Sequence, residues 1–274
     1  MAIGNTTTRV LVSIVAIPVI VAASYFGNIY FFLFASIVAL VSYYEFCRFV
    51  KNKEIYTNFW VGIIFILLLL INEFFHYLDI YLLMLVLIIV LTLFELFRNK
   101  GSAIINIGAT FLGTLYIGFF ANALIAIREF YPRIDYLYKR GGLLIISILA
   151  TIWICDSAAF FGGLSLGKHK LFPRVSPKKS WEGAIFGFIF SILTMMLAKV
   201  IILDFLSWIS VIILGIIIGI FGQIGDLIES LFKRDAGVKD SSSLIPGHGG
   251  IFDRFDSLLY TAPVILLYLK NFAH

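Results

Sequence analysis

The chain has 274 residues, of which 61% are hydrophobic and 14% charged, with a net charge of +5. Soluble domains carry roughly 45–50% apolar and about 25% charged residues, so an ordinary soluble fold is excluded. No basic stripe is long enough to track a nucleic-acid backbone, which excludes nucleic acid as a partner. The mild positive balance suits an anionic membrane surface and phosphate substrates instead.

Nine apolar segments follow one another along the chain. They run from Val10 to Phe26, Ile29 to Val50, Phe59 to Phe75, Ile80 to Phe97, Ile104 to Ile127, Leu143 to Phe161, Ala184 to Leu203, Trp208 to Ile224 and Phe255 to Phe272. Each approaches the roughly 20 residues a spanning helix needs. Peptide groups in lipid must be satisfied internally, so these segments are expected to be helical. The fold class expected is all-α: a polytopic transmembrane bundle of about nine helices. The first segment has Arg9 before it and no small-residue cleavage site after it, and reads as a spanning helix, not a cleaved signal peptide. The Gly27–Asn28 turn between the first two segments predicts a tight hairpin. Cys47 and Cys155 lie in apolar surroundings and read as free thiols.

Only six of the 21 Lys and Arg residues fall on one side of a nine-span arrangement: Arg128, Arg133, Lys139, Arg140, Lys199 and Lys270. The positive-inside bias therefore puts the N-terminus in the cytoplasm and the C-terminus outside. Both long polar stretches, Gly162–Gly183 and Gly225–Arg254, fall on the cytoplasmic side. The division expected is residues 1–140 as N-terminal packing helices and residues 141–274 as the part that carries a cytoplasmic-side cleft.

The second polar stretch holds the strongest signal. Between Ser230 and Ser257 it packs Lys233, Arg234, Lys239, Asp240, His248, Asp253, Arg254 and Asp256 beside the membrane, where charges are expensive and usually functional. Asp253 and Asp256, at i,i+3 spacing, share one helix face. Mg²⁺ wants carboxylate oxygens and substrate phosphates together; the plainer reading of Asp253 is a helix cap paired with Arg254. Asp226, at the end of an uncharged run, adds a third carboxylate, whereas Glu229 one turn on reads as part of a solvated face. The glycine-rich Pro246–Gly250 segment before a helix start offers N–H groups to phosphate, or is simply a turn.

The first polar stretch contains Ser176-Pro-Lys-Lys-Ser-Trp-Glu-Gly183. Lys178 and Lys179 are suited to phosphate as mobile point charges, or merely carry the positive-inside bias. Ser180 reads equally as a substrate contact or an N-cap, and Trp181 as an interfacial anchor. Asp156 lies deep in the sixth apolar segment, where a carboxylate needs a partner.

The run from Ser230 to Asp256 resembles the signature of the phosphatidate cytidylyltransferases, or CDP-diacylglycerol synthases. Ser230, Lys233, Arg234, Lys239, Asp240, Ile245, Pro246, His248, Gly249, Gly250, Asp253, Arg254 and Asp256 fill its fixed positions. The Ser176–Gly183 run is similar to a second motif of that family, which often has Thr where this chain has Ser180. The likeness covers roughly residues 150–260. It implies CTP and phosphatidic acid as substrates, CDP-diacylglycerol and pyrophosphate as products, and Mg²⁺ as cofactor, with a second cation by analogy with two-metal sites. It implies metal on Asp226, Asp253 and Asp256, catalytic roles also for Lys233, Lys239 and Arg254, and substrate contacts from Ser176, Lys178, Lys179, Ser180, Arg234, Asp240, His248, Gly249 and Gly250. The implied location is the prokaryotic plasma membrane, among membrane lipids, with the site toward the cytoplasm. A homodimer stays open, since no Gly-x-x-x-Gly seam in the first half forces one.

Three other readings compete. A transporter would carry its charges near the midplane on broken helices, whereas here they gather at one face. A CDP-alcohol phosphotransferase would need an Asp-Gly-x-x-Ala-Arg opening that this chain lacks. A purely structural protein would have no need of the acidic cluster.

Overall fold

A computed structural model of the chain describes residues 3–75, 77–244 and 249–272. Almost all of it is helix: α1 (Ile3–Phe26), α2 (Asn28–Val50), α3 (Phe59–Phe75), α4 (Ile80–Phe97), α5 (Ala103–Arg128), α6 (Asp135–Leu166), α7 (Trp181–Ile201), α8 (Trp208–Ile217), α9 (Gln223–Asp235) and α10 (Phe252–Phe272). A π-helical turn over Ile218–Gly222 joins α8 to α9, so Trp208–Asp235 is one rod. Among the described residues, six helices are long and apolar enough to cross a membrane. Two further apolar helices, Val12–Phe26 and Phe59–Phe75, are shorter. This is the build of a membrane-integral protein.

The polar stretches are more ordered than their composition suggests. Helix α6 runs through Gly162 and Gly163 to Leu166, and a two-stranded antiparallel hairpin follows, β1 (Lys170–Phe172) against β2 (Ser176–Ser180). The sixth apolar segment, expected to end at Phe161, continues as helix for five more residues for a packing reason. A side chain at Gly162 would run into Phe186, and one at Gly163 would press on Ser180. The glycines are there for close approach, and the helix passes through them. The second stretch likewise begins as helix α9, whose Ile224, Leu227, Ile228 and Leu231 recur at helical spacing.

The chain forms two compact units. The first comprises Met1–Pro18, Ile29–Ala126 and Phe232–Phe255. Helices α3 and α4 meet in it through Phe65, Leu69, Leu83, Leu87 and Leu91, each pair of neighbours four residues apart on its own helix. Between helices in lipid, close van der Waals packing replaces the hydrophobic drive, so small residues set the approach. Gly62 makes room for the Tyr43 ring and Gly113 for Phe46, which brings α2 close to α3 and α5. Asn106 ties three polar groups together: it bonds the buried Glu95 at 2.7 Å, the Lys100 carbonyl at 2.7 Å and the Tyr56 N–H at 2.7 Å.

The second unit comprises Val19–Asn28, Ile127–Leu231 and Asp256–His274. Its α6, α7 and α8 pack by the same device. A side chain at Gly187 would sit 3.0 Å from the Cys155 carbonyl, and one at Gly215 would sit 2.7 Å from Ile192 Cα. Ser191 Oγ donates across to the Gly215 carbonyl at 2.8 Å. At the end of α5, Arg128 is fully buried. It donates to the carbonyls of Ser24 (2.6 Å), Tyr25 (2.9 Å) and Tyr138 (3.2 Å), with its guanidinium over the Tyr138 ring. The last carbonyls of α1 lack intrahelical partners, and Arg128 supplies two of them. The chain then turns through Gly27 (φ 63°) and Asn28 (φ 49°), both left-handed. Cys155 is buried and Cys47 partly so, and both are free thiols.

Candidate active site

In the second unit, three elements bring charge together. Helix α9 carries Asp226, α10 carries Asp256, and β2 carries Lys179. Their approach depends on the rod Trp208–Asp235. Its π turn takes an extra residue and resets which residues face the neighbouring helices; such turns recur at functional sites. Three glycines line the rod: Gly219 lies against Ser191 and Phe188 of α7, Gly222 faces Thr261 and Ser257, and Gly225 presses on Tyr260 and the Asp256 carbonyl of α10. A methyl group at Gly225 would come to 2.9 Å from that carbonyl oxygen, so only glycine lets the backbones this close.

Asp226 therefore stands next to a residue that lies against the Asp256 carbonyl of α10. Its Oδ2 is 2.5 Å from Lys179 Nζ, and its Oδ1 accepts from Ser230 Oγ at 3.3 Å. Asp256 is buried, and one of its carboxylate oxygens accepts from the Ser257 N–H at 2.5 Å. The carboxylates of Asp226 and Asp156 and the Lys179 ammonium all lie within electrostatic range of Asp256. Like charges in such a place repel, and either a proton or a cation relieves them. Mg²⁺ is held by one or two carboxylates together with substrate phosphates, and the Asp226–Asp256 pair with its attendant ammonium fits that requirement. Among the described residues, no three His, Cys, Asp or Glu side chains form a group that could enclose a metal by themselves.

The hairpin delivers Lys179 accurately. The Trp181 N–H bonds the His169 carbonyl at 2.9 Å, and Ser180 Oγ caps α7 by accepting from the Gly183 N–H at 3.2 Å. Glu182 turns back to the His169 ring at 2.7 Å. Ser180 is thus a buried N-cap, as one of its two sequence readings had it. Ser176 and Lys178 lie on the same strand, with Lys178 exposed. Glu229 corrects the sequence reading: it is fully buried, not part of a solvated face.

In the first unit, the loop before α10 is organised by acids. Asp253 Oδ1 pairs with Lys233 Nζ at 2.5 Å, and both side chains are almost out of solvent. Its Oδ2 accepts from the N–H of Ser241 (2.9 Å), the hydroxyl of Ser241 (2.9 Å) and the N–H of Gly250 (2.8 Å). Glu45 of α2, absent from the sequence reading, accepts the next two N–H groups, from Ile251 (3.0 Å) and Phe252 (2.8 Å). The backbone donors of Gly250, Ile251 and Phe252 are therefore taken by carboxylates. Gly249 adopts φ 79°, which glycine tolerates and most residues do not. Arg234 is exposed and donates to the Val238 carbonyl at 3.0 Å; Lys239, Asp240 and Arg254 are also exposed. His248, with Ile245 and Pro246, lies outside the described residues.

Against known proteins, residues 7–272 match the sequence profile of a group described as the cytidylyltransferase family. A Staphylococcus aureus (strain COL) protein named phosphatidate cytidylyltransferase is 31% identical over 97% of this chain and 98% of its own length. Proteins of the same name from Bacillus subtilis (strain 168) and Staphylococcus saprophyticus are 36% and 43% identical, over 61% and 49% of this chain. Those two matches span 60% and 53% of the relatives' lengths.

Proposed function

Since the chain belongs to the cytidylyltransferase family, we propose that it is an enzyme that transfers the cytidylyl group of CTP to phosphatidic acid. CDP-diacylglycerol and pyrophosphate are the products. The observation that carries this reading is the meeting of Asp226, Asp256 and Lys179 at the ends of apolar helices. An acidic pair with one ammonium, set where a lipid headgroup lies, suits the joining of two phosphate-bearing substrates.

The chemistry needs no protein nucleophile. A phosphate oxygen of phosphatidic acid attacks the α-phosphorus of CTP in line. The new P–O bond forms as the bond from the α-phosphorus to the bridging oxygen breaks, and pyrophosphate leaves with that electron pair. Asp226 and Asp256 would hold Mg²⁺, which when bound screens the phosphates and stabilises the charge that develops on them. Lys179, on a strand anchored by the Ser180 cap, presents positive charge beside the carboxylates and orients a phosphate oxygen toward them. The exposed Lys178, Arg234, Lys239 and Arg254 supply further contacts for pyrophosphate and the lipid phosphate. Asp253, expected above among the metal ligands, and Lys233, expected to be catalytic, pair with each other at 2.5 Å and serve in this reading by holding the loop in shape.

The membrane arrangement that serves this chemistry has about nine spans, the N-terminus in the cytoplasm and the C-terminus outside. It places the site at the cytoplasmic face of a bacterial plasma membrane, where CTP arrives from solution and phosphatidic acid from the bilayer. The deciding experiment is product formation by purified protein from labelled CTP and phosphatidic acid, with and without Mg²⁺, beside Asp256→Asn. Mg²⁺-dependent CDP-diacylglycerol that disappears in the variant supports the reading. Absence of product from folded wild-type protein overturns it.

A further inference from the structure

We infer that Glu45 is a positioning residue for the reaction: from the first half of the chain, it fixes the start of α10 and the loop that leads into it. The inference rests on the function proposed above. Its basis is the hydrogen bonding of one carboxylate. Glu45 lies in the apolar helix α2 and is fully buried. A carboxylate in such a place demands partners, and Glu45 has four of them. Oε1 accepts from Ser242 Oγ at 2.5 Å and the Ile251 N–H at 3.0 Å. Oε2 accepts from Ser241 Oγ at 2.9 Å and the Phe252 N–H at 2.8 Å.

These bonds do more than neutralise a stray charge. Ile251 and Phe252 are the residues at which α10 begins, so Glu45 takes the orphan donors that every helix start presents, and its charge sits at the positive end of that helix. Ser241 and Ser242 lie ten residues back along the chain, so one carboxylate ties these two serines to the helix start. Ser241 Oγ lies 2.9 Å from a carboxylate oxygen of Glu45 and 2.9 Å from one of Asp253, so its single proton serves both. Glu45 is thereby coupled to the residue that holds Lys233. Gly250 explains itself in the same terms: a side chain there would occupy the space of Ser241 Oγ and of both Glu45 oxygens.

The first turn of α10 carries Asp253, Arg254 and, one residue beyond it, Asp256. Rotation or axial slip of that turn moves all three together. Transfer at phosphorus tolerates little such movement, since a displacement of about 1 Å can cost on the order of 100-fold in rate. Glu45→Gln keeps the size of the side chain but sets an amide N–H against one backbone N–H, a donor–donor conflict, and makes the serine hydroxyl beside it turn to accept. The expected result is a fall in kcat of at least 10-fold and a rise of at least 5-fold in the Mg²⁺ concentration for half-maximal rate, with the KM for CTP within 2-fold of wild type. A merely structural role would lower the yield of folded protein and leave the Mg²⁺ response and KM of the folded fraction alone.

The test is therefore steady-state kinetics of Glu45→Gln and of Ser242→Ala, which removes one of the four donors to Glu45 together with the acceptor of the Leu244 N–H, and covers the case in which the first variant fails to fold. Ser242→Ala should shift the Mg²⁺ response in the same direction by a smaller factor. Amide hydrogen exchange at Ile251 and Phe252, followed in the same samples, needs no activity and so separates this inference from the assigned reaction. Faster exchange at those two amides, with the shifted Mg²⁺ response, supports it. Unchanged exchange, or a wild-type kcat and Mg²⁺ response in both variants, overturns it.

Discussion

Lys179 Nζ and Asp226 Oδ2 stand 2.5 Å apart, each side chain about a third exposed at 28% and 34%. A surface ion pair of this exposure adds little to stability, about 0–1 kcal/mol, so its placement next to a second carboxylate has to be understood through chemistry. Lys179→Met should leave thermal unfolding in detergent almost unmoved while kcat/KM for CTP falls about 100-fold, near 2.7 kcal/mol of transition-state stabilisation. Lys179→Arg should recover only part of it, because a planar guanidinium does not replace a compact ammonium. Equal loss of stability and activity in Lys179→Met would assign the pair to the scaffold.

Lys233 and Asp253 make the contrasting case. Their side chains are 10% and 6% exposed, so removing one partner leaves a charge in a poorly solvated place. Lys233→Met should destabilise the protein by about 3–5 kcal/mol, read as a lower melting temperature. The double variant Lys233→Met/Asp253→Asn should be more stable than Lys233→Met alone. If the double variant is the worse of the two, the lysine has a partner that matters more than Asp253.

Arg128 is the largest fully buried side chain among the described residues, and its hydrogen-bond partners are carbonyl oxygens. Hydrogen bonds from charged donors contribute about 1.5–3 kcal/mol each. Arg128→Lys keeps the charge but cannot span three acceptors, so a loss of about 3 kcal/mol is expected, with kcat of the folded fraction retained. Chemical denaturation in mixed micelles would measure the first, and an assay at low temperature the second.

Ser180 caps α7 through the Gly183 N–H. Ser180→Ala should cost about 1 kcal/mol and loosen the strand that carries Lys179, while Ser180→Thr should restore both. An alanine variant with full activity and unaltered melting would remove the cap from the account.

Much of this was legible in the residues. The long uncharged runs announce helices because lipid leaves the backbone no other choice, and segment ends such as Phe26, Val50, Phe75 and Phe97 coincide with helix ends. Asp226, Asp256 and Lys179 stood out because charge beside apolar sequence is conspicuous. What escaped has common causes. The sixth segment reads as ending at Phe161, before Gly162 and Gly163, because a sequence does not reveal Phe186 and Ser180 waiting across the way. Glu229 read as solvated because a charged residue on a polar stretch usually is, yet its neighbours bury it completely. Glu45 was visible as an acid inside an apolar run, and intramembrane acids are candidates for function on that ground alone. Its partners were not visible, since nothing local ties residue 45 to Ser241 or Phe252.

That separation has a consequence for biogenesis. Ser241 lies 196 residues and Phe252 207 residues downstream of Glu45. At synthesis rates of about 5–20 residues per second, helix α2 waits roughly 10–40 s for the donors that satisfy its acid. Glu45 is five residues from the end of α2, next to Arg48 and the Lys51–Lys53 turn, so the nascent helix can keep the carboxylate at the wet border of the bilayer until then. The donors to Glu45 are among the last residues of this sequence to be synthesised, and a chain truncated before Ser241 would carry an acid in its second helix with none of those donors to receive it.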